Sequence, residues 1–403
     1  MTRKIYLPRV SGPFRAYARE YYDYAQALGY TAQSAGWHVW VLARLSQWLE
    51  STGIAPQSLT EKDLEAFLAH HRASKYRQPI GGRRLAPLLQ YLRSQDLIPG
   101  AASPARSPLQ AFLERYQHFL HDRRGLAPRT IEEHVRTAHR FLAPWAHEEP
   151  SAVWAALHVR DVTTFLLRDT ARLSPGAAKN VLQHLRSLLR FVHQVGYVAQ
   201  DLALTLPPVA SWHATRLPPT VSTDEVEALL APEADLAGPG RRNYAVLLLL
   251  ARLGLRATEI CRLTLDDVDW RAGELVVSGK SRRVDRLPLP TDVGTALAAY
   301  LHDERPPVRI RELFLTCRAP IHGMSRGGVF HVVTTACRRR GLPPLGPHRL
   351  RHALATTLLH HGVPLPTIGQ VLRHRDLQST AAYAKVDQAA LRTVAQAWPE
   401  GAS

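Results

Sequence analysis

The feature that constrains this chain most is an apolar pattern that occurs twice in its first half. Leu59, Asp63, Phe67 and Leu68 recur as Leu157, Asp161, Phe165 and Leu166, each 98 positions later. Leu45 and Trp48 recur at 97 as Leu142 and Trp145, and Leu88, Leu89 and Tyr91 at 100 as Leu188, Leu189 and Phe191. Within each copy the apolar positions step by three and four, which lines one face of an α-helix. An offset drifting from 97 to 100 fits two copies of one helical bundle separated by small loop insertions. A coincidence of apolar positions is the alternative. In the first copy the pattern predicts helices over 32–50, from an N-cap at Thr60 through Leu68, and over 85–92.

Proline and glycine then divide the chain. Pro99-Gly100-Ala101-Ala102-Ser103-Pro104 with Ser107-Pro108, and a proline-rich stretch over 207–219, read as linkers. They split 403 residues, too many for one core, into 1–104, 105–208 and 209–403. In the last part a helix capped by Ser222 or Thr223 precedes one over 241–253 that is apolar nearly all round. Strands are expected at 274–278 and 284–290, joined by 279–283, with a short one at 313–316. Helices follow at 291–303 and 325–340. The fold class is mainly α with a small β-sheet.

Charge narrows the partner. The formal charge is +17, and of the 51 basic residues only six are lysines. Such a balance favours a polyanion, with an acidic membrane surface as the rival. No amphipathic anchor supports the rival, and the longest apolar run, 245–251, is far short of a bilayer span. The opening MTRKIYLPRV has no apolar signal core, so a cytoplasmic, nucleoid-associated protein is expected. Cys261, Cys317 and Cys337 are widely scattered, which speaks against a structural zinc.

Near the other end lies PHRLRHALATTLLHHGVPLPTIGQVLRHRDLQSTAAYAKV. His348 and Arg351 are three apart and share one side of a helix. His374 closes a second short helix, and Tyr383 follows nine residues on. Upstream, Gly254-Leu255-Arg256-Ala257-Thr258-Glu259 ends the apolar helix, and Lys280 stands 24 residues beyond Arg256 in the expected hairpin turn. Arg256, Lys280, His348, Arg351, His374 and Tyr383, in this order, resemble the catalytic signature of the tyrosine recombinases, the phage integrase family. The likeness covers roughly 109–400, and 105–208 resembles the family's SAM-like core-binding domain. The resemblance implies a catalytic domain at 209–403. It leaves 1–104 as an extra helical domain, a possible duplicate that could bind accessory sites, extend a clamp around DNA or contact proteins.

What the resemblance implies can be put in chemical terms. Arg256 and Arg351 would bind the non-bridging oxygens of a phosphodiester with paired planar donors, and His374 would add a third donor. Tyr383 would be the nucleophile and His348 the group that takes its proton. Lys280 would protonate the leaving 5′-oxygen, which an arginine cannot do at neutral pH. Glu259 would orient an arginine. The second copy would face DNA with Arg123, Arg124, Arg129, Lys179, Arg186 and Arg190, and the hairpin with Arg282 and Arg283. No cofactor or metal is implied, since His348 and His352 lack the glutamate of a zinc helix.

These expectations add up to a site-specific recombinase or integrase that cleaves and rejoins double-stranded DNA through a 3′-phosphotyrosine. It would act as a homo-oligomer, usually a tetramer, and accessory recombinases are a further candidate partner. A helix over 387–398 would dock on a neighbour or on its own chain. A catalytically silent DNA-binding regulator and a topoisomerase IB-like or telomere-resolving enzyme are the rivals. Arg256 paired only with Glu259 or Asp267 in a core is the bland reading of that residue. Two positions depart from the family pattern: Arg373 replaces the glycine of L-G-H, and Ser281 follows the lysine where glycine is frequent.

Overall fold

Capping decides where the helices of the first copy begin and end. The computed structural model describes residues 7–74, 80–100, 107–146, 148–207, 221–231, 240–279 and 284–373, with the backbone alone for 82–84. The first bundle contains α1 (Ala18–Ala27), α2 (Ala32–Thr52), α3 (Glu61–Ala73) and α4 (Gly82–Ser94). Thr31 opens α2 by accepting the Ser34 N–H at 3.2 Å, and Gly53 closes it at φ +67. Thr60 opens α3 reciprocally. Its hydroxyl accepts the Asp63 N–H at 3.3 Å, and the Asp63 carboxylate accepts the Thr60 N–H at 2.8 Å. Leu42, Leu45, Phe67, Leu88 and Tyr91 form the interior.

The second bundle contains α5 (Pro108–Asp122), α6 (Pro128–Leu142), α7 (Pro150–Ala156), α8 (Val159–Thr170) and α9 (Pro175–Gln194). Proline occupies the first position of α5, α6 and α9, where its missing N–H costs no helical bond. Its interior is built from Phe112, Tyr116, Phe141, Trp154, Leu185 and Phe191.

The bundles match inside as well as along the sequence. In the first, the Tyr21 hydroxyl lies 3.3 Å from His38 Nδ1; in the second, the Tyr116 hydroxyl lies 3.3 Å from His134 Nδ1. Tyr91 packs on Tyr21 and Tyr24 at ring-centroid distances of 5.0 and 5.1 Å. Phe191 packs on Tyr116 and Phe119 at 5.1 and 4.9 Å. Gly29 and Gly125 both turn the chain out of the first helix at positive φ. The Asp161 carboxylate accepts the His158 N–H at 2.9 Å, as Asp63 does for Thr60. Two buried tyrosine–histidine pairs thus stand at matching places in the two bundles.

The remaining elements are α10 (Thr223–Leu230), α11 (Gly240–Arg252), α12 (Ala257–Ile260), β1 (Val268–Asp269), β2 (Glu274–Ser278), β3 (Val284–Pro288), α13 (Thr291–Asp303), α14 (Arg326–Arg339), α15 (Pro347–His360) and α16 (Leu365–Val371). Ser222 is the cap of α10. Every residue of α11 from Ala245 to Ala251 is buried, and α13, α14 and α15 pack around it. The antiparallel sheet runs β1-β2-β3, with Val277 opposite Asp285 and Leu275 opposite both Leu287 and Val268.

The expected strand at 313–316 does not form. Leu315 makes one isolated bridge to Gly323, and the sheet takes β1 instead. The segment is an irregular, mostly buried stretch in which three N–H groups find separate partners. Leu313 donates to the Leu263 carbonyl at 2.8 Å, Leu315 to the Tyr300 hydroxyl at 3.2 Å, and Thr316 to the His322 carbonyl at 2.8 Å. A short apolar run looks the same in either setting.

Met1–Gly100 together with Ala214–Ser403 form one compact unit, and Ala101–His213 a second. Within the first unit the Ile321 N–H donates to the Leu28 carbonyl at 2.8 Å, and a Cβ on Gly29 would collide with the Ile321 side chain. Among the described residues no helix is long and apolar enough to cross a membrane.

Candidate active site

A glycine fixes the start of the site. Gly254 leaves α11 at φ +58, and a Cβ there would lie 2.9 Å from Leu372 Cδ2 and 3.0 Å from Leu354 Cδ2. Conformation and space both demand glycine. The turn sets Arg256 as the residue before α12, with Glu259 one turn on. The Glu259 carboxylate accepts the Arg256 N–H at 2.9 Å and its Nη1–H at 2.6 Å. Glu259 is 4% exposed, so this is a buried carboxylate with a half-buried guanidinium beside it.

α15 supplies the second arginine. Pro347 starts the helix, His348 follows, and Arg351 lies one turn further with 1% exposure. Its Nη1 donates to the Gly254 carbonyl and its Nη2 to the Leu372 carbonyl. One side chain thus ties the turn after α11 to the turn after α16. At the far end of α15, Gly362 takes φ +75 and His361 Nδ1 lies 2.7 Å from the Thr357 carbonyl, which closes the helix.

Arg373 completes the cluster in an unexpected way. It takes φ +55, a left-handed conformation suited to glycine, yet its side chain is buried. Arg373 Nη2 sits 3.0 Å from Glu259 Oε2, and the Arg373 carbonyl accepts from Arg256 Nη2 at 3.3 Å. Glu259 therefore holds one guanidinium on each oxygen. Burial opposes its ionisation, but the Arg256 N–H and the charges of Arg373 and Arg256 outweigh it and hold the carboxyl below the usual range. Breaking a buried pair of this kind costs about 3–5 kcal/mol.

His348 faces this positive ground. Burial, then the charges of Arg351 and Arg256, push its pKa down, so at neutral pH the imidazole is neutral and able to accept a proton. His352, with its ring 4.8 Å away, is pushed to about 4, by burial first and then by His348 and the neighbouring arginines.

The structure therefore brings together Arg256, Glu259, His348 and Arg351. Lys280, Arg282, Arg283, His374 and Tyr383 lie outside the described residues, as does 387–398. By sequence, Lys280 falls between β2 and β3, and His374 directly follows Arg373. On the second bundle, Arg129 is exposed and pairs with Glu132 and Glu133 at 3.1 and 3.0 Å. Arg186 donates to the Leu206 and Pro207 carbonyls at 3.4 and 3.1 Å. Lys179 is half-buried and Arg190 exposed, both on α9. Sequence reasoning missed Arg373 as a partner of Glu259; its only signal was the departure from glycine. Among the described residues no group of three metal-ligating side chains occurs.

Residues 219–390 match the phage integrase family. A putative integrase/recombinase of Sinorhizobium fredii is 36% identical over 395 residues, covering 96% of this chain and 95% of the relative. Tyrosine recombinase XerD of Mycobacterium tuberculosis is 32% identical over 301 residues, covering 70% of this chain and 95% of its own length. In fold, the chain is similar to XerH site-specific recombinase, solved bound to a palindromic difH substrate after cleavage. That likeness has a TM-score of 0.54 at 18% identity, over 74% of this chain and 99% of the other. A lambda integrase dimer bound to a core site gives a TM-score of 0.52 at 15% identity, over 72% and 98%. With a relative this similar along almost its whole length and the arginine cluster in the family's order, the chain belongs to the phage integrase family of tyrosine recombinases.

Proposed function

We propose that this protein is a site-specific DNA recombinase that cuts and rejoins strands through a covalent 3′-phosphotyrosine. The observation that carries the proposal is the convergence of Arg256 and Arg351, 95 residues apart in sequence, on one buried frame built from Glu259, Gly254 and Leu372. Two fixed guanidiniums suit a phosphodiester, whose non-bridging oxygens gain charge as the phosphorus becomes five-coordinate. Donors held in place beforehand are each worth a few kcal/mol in such a step.

In the reaction, the Tyr383 phenol loses its proton to His348 as its oxygen forms a bond to phosphorus. The scissile P–O5′ bond breaks, and Lys280 supplies the proton that the 5′-oxygen needs. His374 donates to the same phosphate. Attack by a 5′-hydroxyl reverses each step and reseals the strand. Glu259 takes no proton; it holds arginines. The partners are double-stranded DNA carrying recombination sites and further copies of this chain, assembled as a tetramer. Residues 105–208 form the core-binding domain, with Arg129, Lys179, Arg186 and Arg190 toward DNA and Arg282 and Arg283 reaching from the hairpin. Residues 209–403 form the catalytic domain, and the place of work is the nucleoid.

Covalent capture tests this directly. Wild-type protein and Tyr383→Phe are recovered from the host under denaturing conditions, and attached DNA is sequenced. The expected result is DNA on wild type alone, at a few recurring sequences. No DNA on either, despite DNA binding under native conditions, would favour a silent regulator.

A further inference from the structure

We propose that Arg373 is a positioning residue for the phosphate-binding arginines: it grips Glu259, and through Glu259 and the carbonyls of Leu372 and Arg373 it sets where Arg256 and Arg351 point. This rests on the reading of Arg256 and Arg351 as phosphate ligands. Three observations converge on it.

The first is conformational. Arg373 keeps φ +55 without being glycine, so its surroundings must hold it there. The second is the direction of the side chain. A cation next to a candidate phosphate site has an obvious use in solution, yet this one is buried against Glu259 at 3.0 Å. Its Nε has no partner among the described residues, a cost accepted to bring Nη2 to the carboxylate. The third is the wiring. Glu259 Oε1 takes Arg256 Nη1 at 2.6 Å and Oε2 takes Arg373 Nη2. The backbone of the same turn offers the Arg373 carbonyl to Arg256 and the Leu372 carbonyl to Arg351. A glycine at 373 would keep the turn and lose the grip. Oε2 would then have only the Arg256 N–H, and Arg256 could swing between the two oxygens.

The test uses the full-length chain as wild type, Arg373→Gly and Arg373→Lys. Phenylglyoxal labelling of DNA-free protein, read by mass spectrometry, reports how firmly Arg256 is held. Single-turnover formation of covalent complex on a duplex carrying a captured site reports the chemistry, and fluorescence anisotropy on the same duplex reports affinity. In Arg373→Gly, Arg256 should label several-fold faster, and covalent complex should form about ten to a hundredfold more slowly. Affinity should stay within about twofold, because ground-state binding is shared among many contacts. Arg373→Lys should recover most of both losses, which a purely structural role at φ +55 would not give. Arg373→Gly that labels and cleaves like wild type overturns the proposal. So does Arg373→Lys that behaves like Arg373→Gly. If Arg373→Gly does not fold, Arg373→Gln, a shorter uncharged side chain that cannot pair with Glu259 as an ion, carries the same comparison. If wild type forms no covalent complex, the recombinase reading fails, while the labelling result still decides whether Arg373 positions Arg256.

Discussion

Arg123 and Arg190 stand on the second bundle where the first has Ala27 and Gln90. Arg129 and Arg186 likewise answer to Gln33 and Ala86. These are the positions that would meet DNA, and the copies differ at every one. Inside, the copies agree: tyrosine on histidine, an aromatic ring across two others, a glycine at the first corner. Interiors are close-packed, so changing one member of such a set disturbs its neighbours, whereas a surface residue changes at little cost. The lesson is that two interiors can match closely while the surfaces around them differ. The first bundle shares the interior frame of the second but carries none of its arginines at these four places. Its α1–α2 corner holds Ile321 of the same compact unit, while a Cβ on the matching Gly125 of the second bundle would meet nothing within 4 Å.

The sharpest way to break this comparison is to reverse charge at matching places. Arg123→Glu with Arg190→Glu should lower DNA affinity about a hundredfold at moderate salt and flatten the log–log salt dependence by about two counterions. Ala27→Glu with Gln90→Glu, equally exposed on the first bundle, should change affinity by less than about threefold, through long-range charge alone. Anisotropy titrations at several salt concentrations give both numbers. Equal losses from the two pairs would mean that both bundles face DNA.

Such a contrast was only half legible beforehand. The repeat was readable because helical spacing leaves an apolar trace that survives surface change. The Tyr21–His38 and Tyr116–His134 pairs were not, because a buried polar contact depends on which helices face each other. The same division runs through the site. Gly254 to Glu259 is a local motif and could be read as one. That Arg351 reaches the carbonyls of both Gly254 and Leu372 is long-range and had to be seen. At 373 the sequence shows an arginine in place of glycine, but a side chain this long can point to solvent, phosphate or Glu259. Residues 313–316 misled for the opposite reason: apolar character was real, and periodicity cannot separate a strand from a buried turn.

A smaller effect tests whether the frames remain interchangeable. The last helix of each bundle ends in a left-handed residue, Asp96 at φ +53 in the first and Gly196 at φ +85 in the second. The next residue closes both turns alike, Leu97 N–H to the Leu92 carbonyl and Tyr197 N–H to the Val192 carbonyl, each at 2.9 Å. Asp96→Gly should stabilise the first bundle and Gly196→Asp destabilise the second, each by about 1 kcal/mol. Native-state hydrogen exchange on the α4 and α9 amides reads each bundle separately. Shifts of the same sign in both would mean that the turns are not equivalent.

An effect of similar size separates the two interiors. His38 lies against Tyr30, with ring centroids 4.3 Å apart, whereas His134 lies against a second histidine, His184, also at 4.3 Å. Burial, then the charges of His184 and Arg124, push the His134 pKa down from 6.5 to about 4. His184 is lowered too, by burial first. In the unfolded chain His134 takes up its proton near pH 6.5. Between that value and about 4 the unfolded state therefore binds more protons than the folded one, and stability falls as pH falls. From pH 7 to 5.5 the second bundle should lose about 1 kcal/mol, and it should lose no more below the folded pKa. His184→Gln removes the neighbouring charge but leaves the burial, so it should soften the slope and not abolish it. Protection factors of α6 and α9 amides, corrected for intrinsic exchange, give the slope, and α2 amides report His38 in the same sample. A flat profile in α6 would mean that the Tyr116–His134 pair opens to water, leaving a frame looser than its match to the first bundle implies.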